Sequence, residues 1–243
     1  VGGGVALSGG SSIEAAGDVN ISSEGTLDLA NATVQSTAGK VELNGLAGVV
    51  AKDATLLAAE AVTVTANENV EVSNSTVEAA SLAITAAKSL TGTELKSKIT
   101  GAAAFTAGEN LVLDSADLSG GTVSAVAAQG LSALGAAINA TEGTLTLTAE
   151  AADIAASSAT LTAKDEVKLT ANQSITAEDA SVEAASLAMT ANTGSVKASG
   201  FTATVADQAS IVAGNSVTLD GSKLGAGALT ATATTGDLSV KNT

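Results

Sequence analysis

The sequence predicts an all-β fold, a three-sided parallel β-helix with coils of about 21 residues, and three observations carry that prediction. A long stretch recurs: TANENVEVSNSTVEAASLAITA at 65–86 returns as TANQSITAEDASVEAASLAMTA at 170–191, an offset of 105 positions or five circuits of about 21. On that step, aliphatic residues fall into three columns along the chain. The composition, finally, offers nothing to fill a wide core, with two Phe, one Met and no Trp or Tyr in 243 residues. Ala, Val, Leu and Ile suffice for the thin cylinder inside a stack of coils, each touching only its neighbours.

One circuit is legible in 61–86. Val62 and Val64, then Val70 and Val72, then Val77 and Ala79 alternate with outward positions before the cycle restarts at Leu82 and Ile84, which is the period of two expected of strands. The first column runs Val19, Val41, Val62, Leu82, Ala103, Val123, Leu145, Val167, Leu187, Ala209 and Leu229. The second runs Val5, Leu27, Val49, Val70, Leu90, Leu111, Leu131, Ile154, Ile175, Val196, Val217 and Leu238. The third holds Ile13, Val34, Leu56, Val77, Leu118, Ile138, Leu161, Val182 and Leu224, with Ile99 and Val205 near it in the two remaining coils. The absence of Pro agrees, since every central strand must donate its N–H groups to a ladder.

Residues 1–16 read as an irregular opening half-coil, loose over Gly2–Gly4, and the coils become regular from Gly17. Gly recurs two residues before the first column, as Gly17, Gly39, Gly101, Gly121, Gly143 and Gly227, suggesting a bend with positive φ. A second corner, three residues before the third column, carries Asn31, Asp53, Asn74, Ser115, Ser158, Asp179 and Gly221, mostly residue types that tolerate the left-handed region. Turn formation explains this polar column better than a ladder of ligand-binding groups. The most helix-like stretch, 125–140, is read as strand because Gly130 and Gly135 interrupt it and Leu131 and Ile138 keep the register. At 88–105, Leu95, Lys96, Lys98 and Ile99 disturb the third column, and a bulge or irregular corner is expected.

About eleven and a half coils, stacked ~4.8 Å apart, make a rod on the order of 55 Å long. About six apolar side chains per coil are expected inside. The whole of 1–243 reads as one solenoid. With no initiator Met and no capping pattern at either end, it is expected to be a segment of something longer.

Twenty-five acidic residues against ten Lys, with no His and a net charge of −15, argue against a nucleic-acid partner. Without His or Cys, nucleophilic triads, thiol chemistry and the usual zinc sites lose their residues. Paired carboxylates for glycoside cleavage would have to stack on an outward face. The outward positions read Asn20, Glu42, Thr63, Ala83, Ala104, Ser124, Thr146 and Lys168 on one face and Asp28, Val50, Glu71, Thr91, Val112 and Ser132 on another, so acids do not stack. Calcium has oxygen-rich candidates at Asp114 to Asp117 and at Glu178 with Asp179, without calcium-loop spacing. An ice-binding Thr face is not supported, because Thr63, Thr146, Thr218 and Thr230 do not fall on successive coils. Glu68, Lys88 and Glu109 should stack with alternating sign. No catalytic, cofactor or metal residue is assigned.

Four segments, EGTLDLANATV at 24–34, NENVEVSNSTV at 67–77, GENLVLDSADL at 108–118 and GNSVTLDGSKL at 214–224, resemble the haemagglutinin-type repeats of filamentous haemagglutinin and related two-partner-secretion exoproteins. The resemblance covers nearly the whole chain. It implies a right-handed β-helix stalk, exported through an outer-membrane pore and displayed at the bacterial surface or released into a biofilm matrix. The expected function is therefore non-enzymatic: a rigid extracellular spacer in an adhesin, with matrix or cell-surface polysaccharide or another adhesin copy as partner. The alternative is a carbohydrate-active β-helix lyase or hydrolase, which should show long loops on one side and a groove of charged or aromatic residues.

Overall fold

The computed structural model describes residues 3–7 and 9–242; part of the Gly2–Gly4 run thus lies outside the described residues. Strands are short, two to six residues, and among the described residues there is no helix, so 125–140 is strand and turn. They form three parallel sheets, one strand of each per coil. Sheet one has 11 strands beginning at Val19–Ser23, sheet two has 12 beginning at Val5–Ala6, and sheet three has 11 beginning at Ser12–Ala15. Each strand pairs with its equivalents one coil before and one coil after, at separations from 20 residues (Val62 to Leu82) to 23 (Leu131 to Ile154). From Ser12 onward no connection exceeds four residues.

The first and second columns pair as predicted along their whole length, from Val19 to Leu229 and from Val5 to Leu238. One coil shows what the interior holds: Val62, Val64, Ala66, Val70, Val72, Ser75, Val77 and Ala79 are all buried. Seven of these eight are apolar, one more than expected, and all are small enough for a narrow cylinder. Stacking alone removes them from water, worth ~1.5–3 kcal/mol for each larger side chain.

Two members of the third column differ from expectation. Ser97, not Ile99, pairs between Val77 and Leu118, and Ala203, not Val205, pairs between Val182 and Leu224. Each small residue has a large neighbour two positions earlier. Leu95 and Phe201 occupy the buried corner position that Ala fills in most coils, such as Ala116, Ala136, Ala159 and Ala180. The expected bulge at 88–105 is absent: Lys96–Ile99 pairs in register on both sides, because volume is exchanged between two inward positions and the backbone has nothing to absorb.

The two corners have different physical origins. At the corner before sheet three every expected residue has positive φ, from 50° at Asn74 to 58° at Asn31 and Ser158, with Gly221 at 70°. Gly10, Glu94, Gly135 and Gly200 complete that column. The Gly residues before sheet one are a correction, since none has positive φ. All but Gly17, which has open space beside it, are needed for close approach between coils. A Cβ at Gly101 would stand 2.9 Å from the Ala80 carbonyl oxygen, and one at Gly121 would stand 2.8 Å from that of Thr100.

Candidate functional site

The outer surface offers three features: a corner groove, inter-coil polar ladders and one nearly uncharged face. The groove lies where sheet three turns into sheet one. Its larger cavity, ≈ 610 Å³, has walls of Asn139, Thr141, Lys164, Glu183 and Thr204 over a floor of Ala and Val. A second cavity of ≈ 470 Å³ is lined by the same columns in earlier coils, including Gln35, Thr37, Glu78 and Lys98. Each cavity contains one carboxylate and one ammonium group. Cleavage of a glycosidic bond by two carboxyl groups requires a second acid that neither cavity supplies.

Asp114 and Glu178, from the oxygen-rich corners considered for calcium, are engaged with protein donors. Asp114 Oδ1 accepts the Ser132 hydroxyl (2.6 Å) and the Leu134 N–H (2.9 Å) of the next coil. Asp220 does the same for Ser239 (2.9 Å) and Lys241 (3.2 Å). The Asp in the LVLDSADL and VTLDGSKL segments thus caps backbone left open at the corner. Glu178 pairs with Lys197 at 2.8 Å. Among the described residues no three acidic side chains come together as a metal site.

A second ladder precedes sheet two and escaped sequence reading. Asn69, Asn110 and Asp153 accept the N–H groups of Ser89 (3.1 Å), Gly130 (3.2 Å) and Ser174 (2.7 Å) one coil on. Ser174, Ser195 and Ser216 continue it. The signal was available: Asn, Asp or Ser stands one residue before most members of the second column. The charge ladder forms as expected, Lys88 pairing with Glu68 while Glu109 on the following coil accepts the Ser89 hydroxyl at 3.3 Å. The bond to Glu68, then its charge and that of Glu109, hold the Lys88 ammonium above the usual lysine range.

On sheet one, the outward column from Asn20 to Lys168 stacks as read from the sequence, without adjacent acids. The neighbouring outward column does contain Thr on successive coils. Thr65, Thr85 and Thr106 pair in sequence, then Val126, then Thr148, Thr170 and Thr190. The Thr residues compared in the sequence belong to other columns, so this ladder was missed. None of these hydroxyls bonds to another of the described residues, unlike Thr141 and Thr193 at the corners, which donate to carbonyls of the preceding coil.

Compared with family models, curated proteins and solved structures, the chain matches none. A functional reading therefore rests on geometry and on the repeat segments.

Proposed function

We propose that this chain is a non-enzymatic stalk segment of a secreted bacterial adhesin resembling filamentous haemagglutinin, exported through an outer-membrane pore and held outside the cell as a rigid spacer. The observation that carries this reading is the unbroken register of three parallel sheets, with connections of four residues or fewer from Ser12 onward. A rod built this way transmits position: each coil is hydrogen-bonded to both neighbours, and length grows by ~4.8 Å per coil. Side-chain bonds at the corners, as from Asp114 to Leu134 N–H, are spent between coils. A surface of −15 net charge suits exposure to water and disfavours nucleic acid. Adhesion would then arise from many weak contacts with polysaccharide or with other copies along the rod.

Carbohydrate cleavage lacks comparable support, given grooves with a single carboxylate each and, from Ser12 onward among the described residues, no connection longer than four residues. Surface labelling of intact producing cells, with and without external protease, tests the proposal. A signal on intact cells or in the matrix that protease removes is expected. A protease-protected pool inside the cell would overturn it.

A further inference from the structure

We propose that two copies of this chain associate side by side and antiparallel through the outer face of sheet one. The starting observation is where charge is missing. The chain has 25 acidic and ten basic residues, yet the eleven strands of sheet one contain three of them, Glu42, Glu166 and Lys168. Lys40 stands immediately before its strand. Elsewhere this face presents chiefly Thr, Ala, Ser and Val, including the Thr65 to Thr190 column with its unspent hydroxyls. The strands of sheet two also hold three charged residues, Asp28, Glu71 and Lys197, but those strands are two or three residues long against five or six in sheet one. Sheet one is therefore the broader face on which two rods that repel at long range meet with few like charges.

Asp18 likewise stands immediately before its strand, on the first coil, where the antiparallel pairing sets it against Ser186 of the second copy's ninth coil. The other four charged residues are placed with a symmetry of their own. Lys40-Val41-Glu42 lies on the second coil of sheet one and Glu166-Val167-Lys168 on the eighth. Val41 and Val167 belong to one inward column, so Lys40 and Glu166 share one outward column and Glu42 and Lys168 share the next. A two-fold axis lying in the face, parallel to the strands and over the fifth coil at Ala104, reverses the rod axis but preserves order along each strand. Every column then meets itself, and the second coil meets the eighth. Lys40 comes opposite Glu166 of the second copy and Glu42 opposite its Lys168, each twice by symmetry. Lys40 and Glu42, bridged to each other at 2.6 Å, remain 41% and 37% exposed, and Glu166 and Lys168 have no ion-pair partner among the described residues.

A parallel pair with the strands fully overlapped fails on the same residues, and one shifted to set Lys40 against Glu42 gives up part of that overlap. A two-fold axis along the rod brings each coil against itself, so full overlap of the strands sets Glu42 against Glu42 and Lys168 against Lys168. The antiparallel register overlaps nine coils. At ~4.8 Å per coil and ~3.3 Å per residue this covers roughly 700 Å² of each copy, which in total falls within the range of specific interfaces. Ala83, Ala104 and Ser124 lie between the charged ends and let two sheets approach face to face.

Sedimentation velocity of the 243-residue chain over a concentration series, near physiological salt, tests the pairing. A reversible dimer is expected. Lys168→Glu should raise its Kd at least tenfold. Adding Glu42→Lys should restore it, since the second coil then presents two ammonium groups to the two carboxylates of the partner copy's eighth coil. In a parallel pair this double variant would set lysines against each other and acids against each other and stay dissociated. Recovery in the double variant also shows that Lys168→Glu had not simply misfolded. A wild-type chain that stays monomeric, or a double variant that fails to regain the dimer, overturns the proposal.

Discussion

Leu95 fills the space that Gly92 leaves empty: a methyl group at Gly92 would stand 3.2 Å from Leu95 Cδ2 and 3.1 Å from Leu113 Cδ2. The coil at 88–105 is therefore an exchange of volume between inward positions. Gly92→Val should cost ~1–3 kcal/mol by overpacking and Leu95→Ala ~2–5 kcal/mol by leaving a cavity. The double variant should cost less than the sum, because Val with Ala approximates the pairing of Val72 with Ser75 one coil earlier. Thermal midpoints of the four chains check this, and strict additivity would contradict it.

The same exchange leaves a polar atom stranded. The Ser97 hydroxyl is buried without a hydrogen-bond partner among the described residues, whereas buried Ser75 accepts the Ala54 N–H (2.9 Å) and donates to the Ala51 carbonyl (2.6 Å). Ser97→Ala should raise stability by about 1 kcal/mol and Ser75→Ala should lower it by ~1–3 kcal/mol. Melting curves that move in the same direction for both would refute the distinction.

Glu94 sits in the left-handed region, φ 54°, in a column otherwise filled by Asn, Asp, Ser and Gly among the regular coils. Left-handed backbone costs a residue with a Cβ ~1–2 kcal/mol, less for Asn and little for Gly. Glu94→Gly should therefore raise the melting temperature. A fall would mean that the Glu94 side chain makes a contact outweighing its backbone.

Lys88 lies between Glu68 and Glu109, with its ammonium held above the ordinary lysine pKa. A raised lysine pKa means that its contribution to stability is complete below the unfolded value and disappears as pH rises through the folded one. Lys88→Glu puts three acids in sequence and should lower the melting temperature at neutral pH and low salt, with the difference shrinking in high salt. Between wild type and variant the gap should also narrow at strongly alkaline pH. An unchanged melting temperature at low salt would show that this ladder contributes nothing.

Most of the architecture was legible because the coil repeats: Val62, Leu82 and Ala103 declare their column through spacing alone, and Asn31, Asp53 and Asn74 mark a corner by their tolerance of positive φ. The errors share a cause. Leu95 and Ser97 both face inward, so hydrophobicity alone could not say which continued the column. Glycine at Gly101 and Gly121 serves either positive φ or the lack of a Cβ, and only the distance to the coil below decides between them. Asp114 looked like a cation ligand because its partners, Ser132 and Leu134, lie one coil away and are not local in sequence. The Lys40–Glu42 and Glu166–Lys168 relationship needs the registers of six intervening pairings before it becomes visible.

As the proposed spacer, the chain is a phased rod whose coils are interchangeable as units of length. Deleting Val62 through Ser81 joins Ala61 to Leu82 and keeps all three columns in phase, whereas removing three residues more or fewer misplaces inward and outward side chains from that point on. A scan of such in-phase deletions, one coil at a time, assayed for folding and for adhesion, is the most direct measurement; aggregation is not the readout, because the proposed pairing depends on charges of the second and eighth coils. Every interior deletion should stay folded, shorten the rod by ~4.8 Å and lose reach alone. One coil whose removal abolishes activity, while loss of the others does not, would contradict the spacer role.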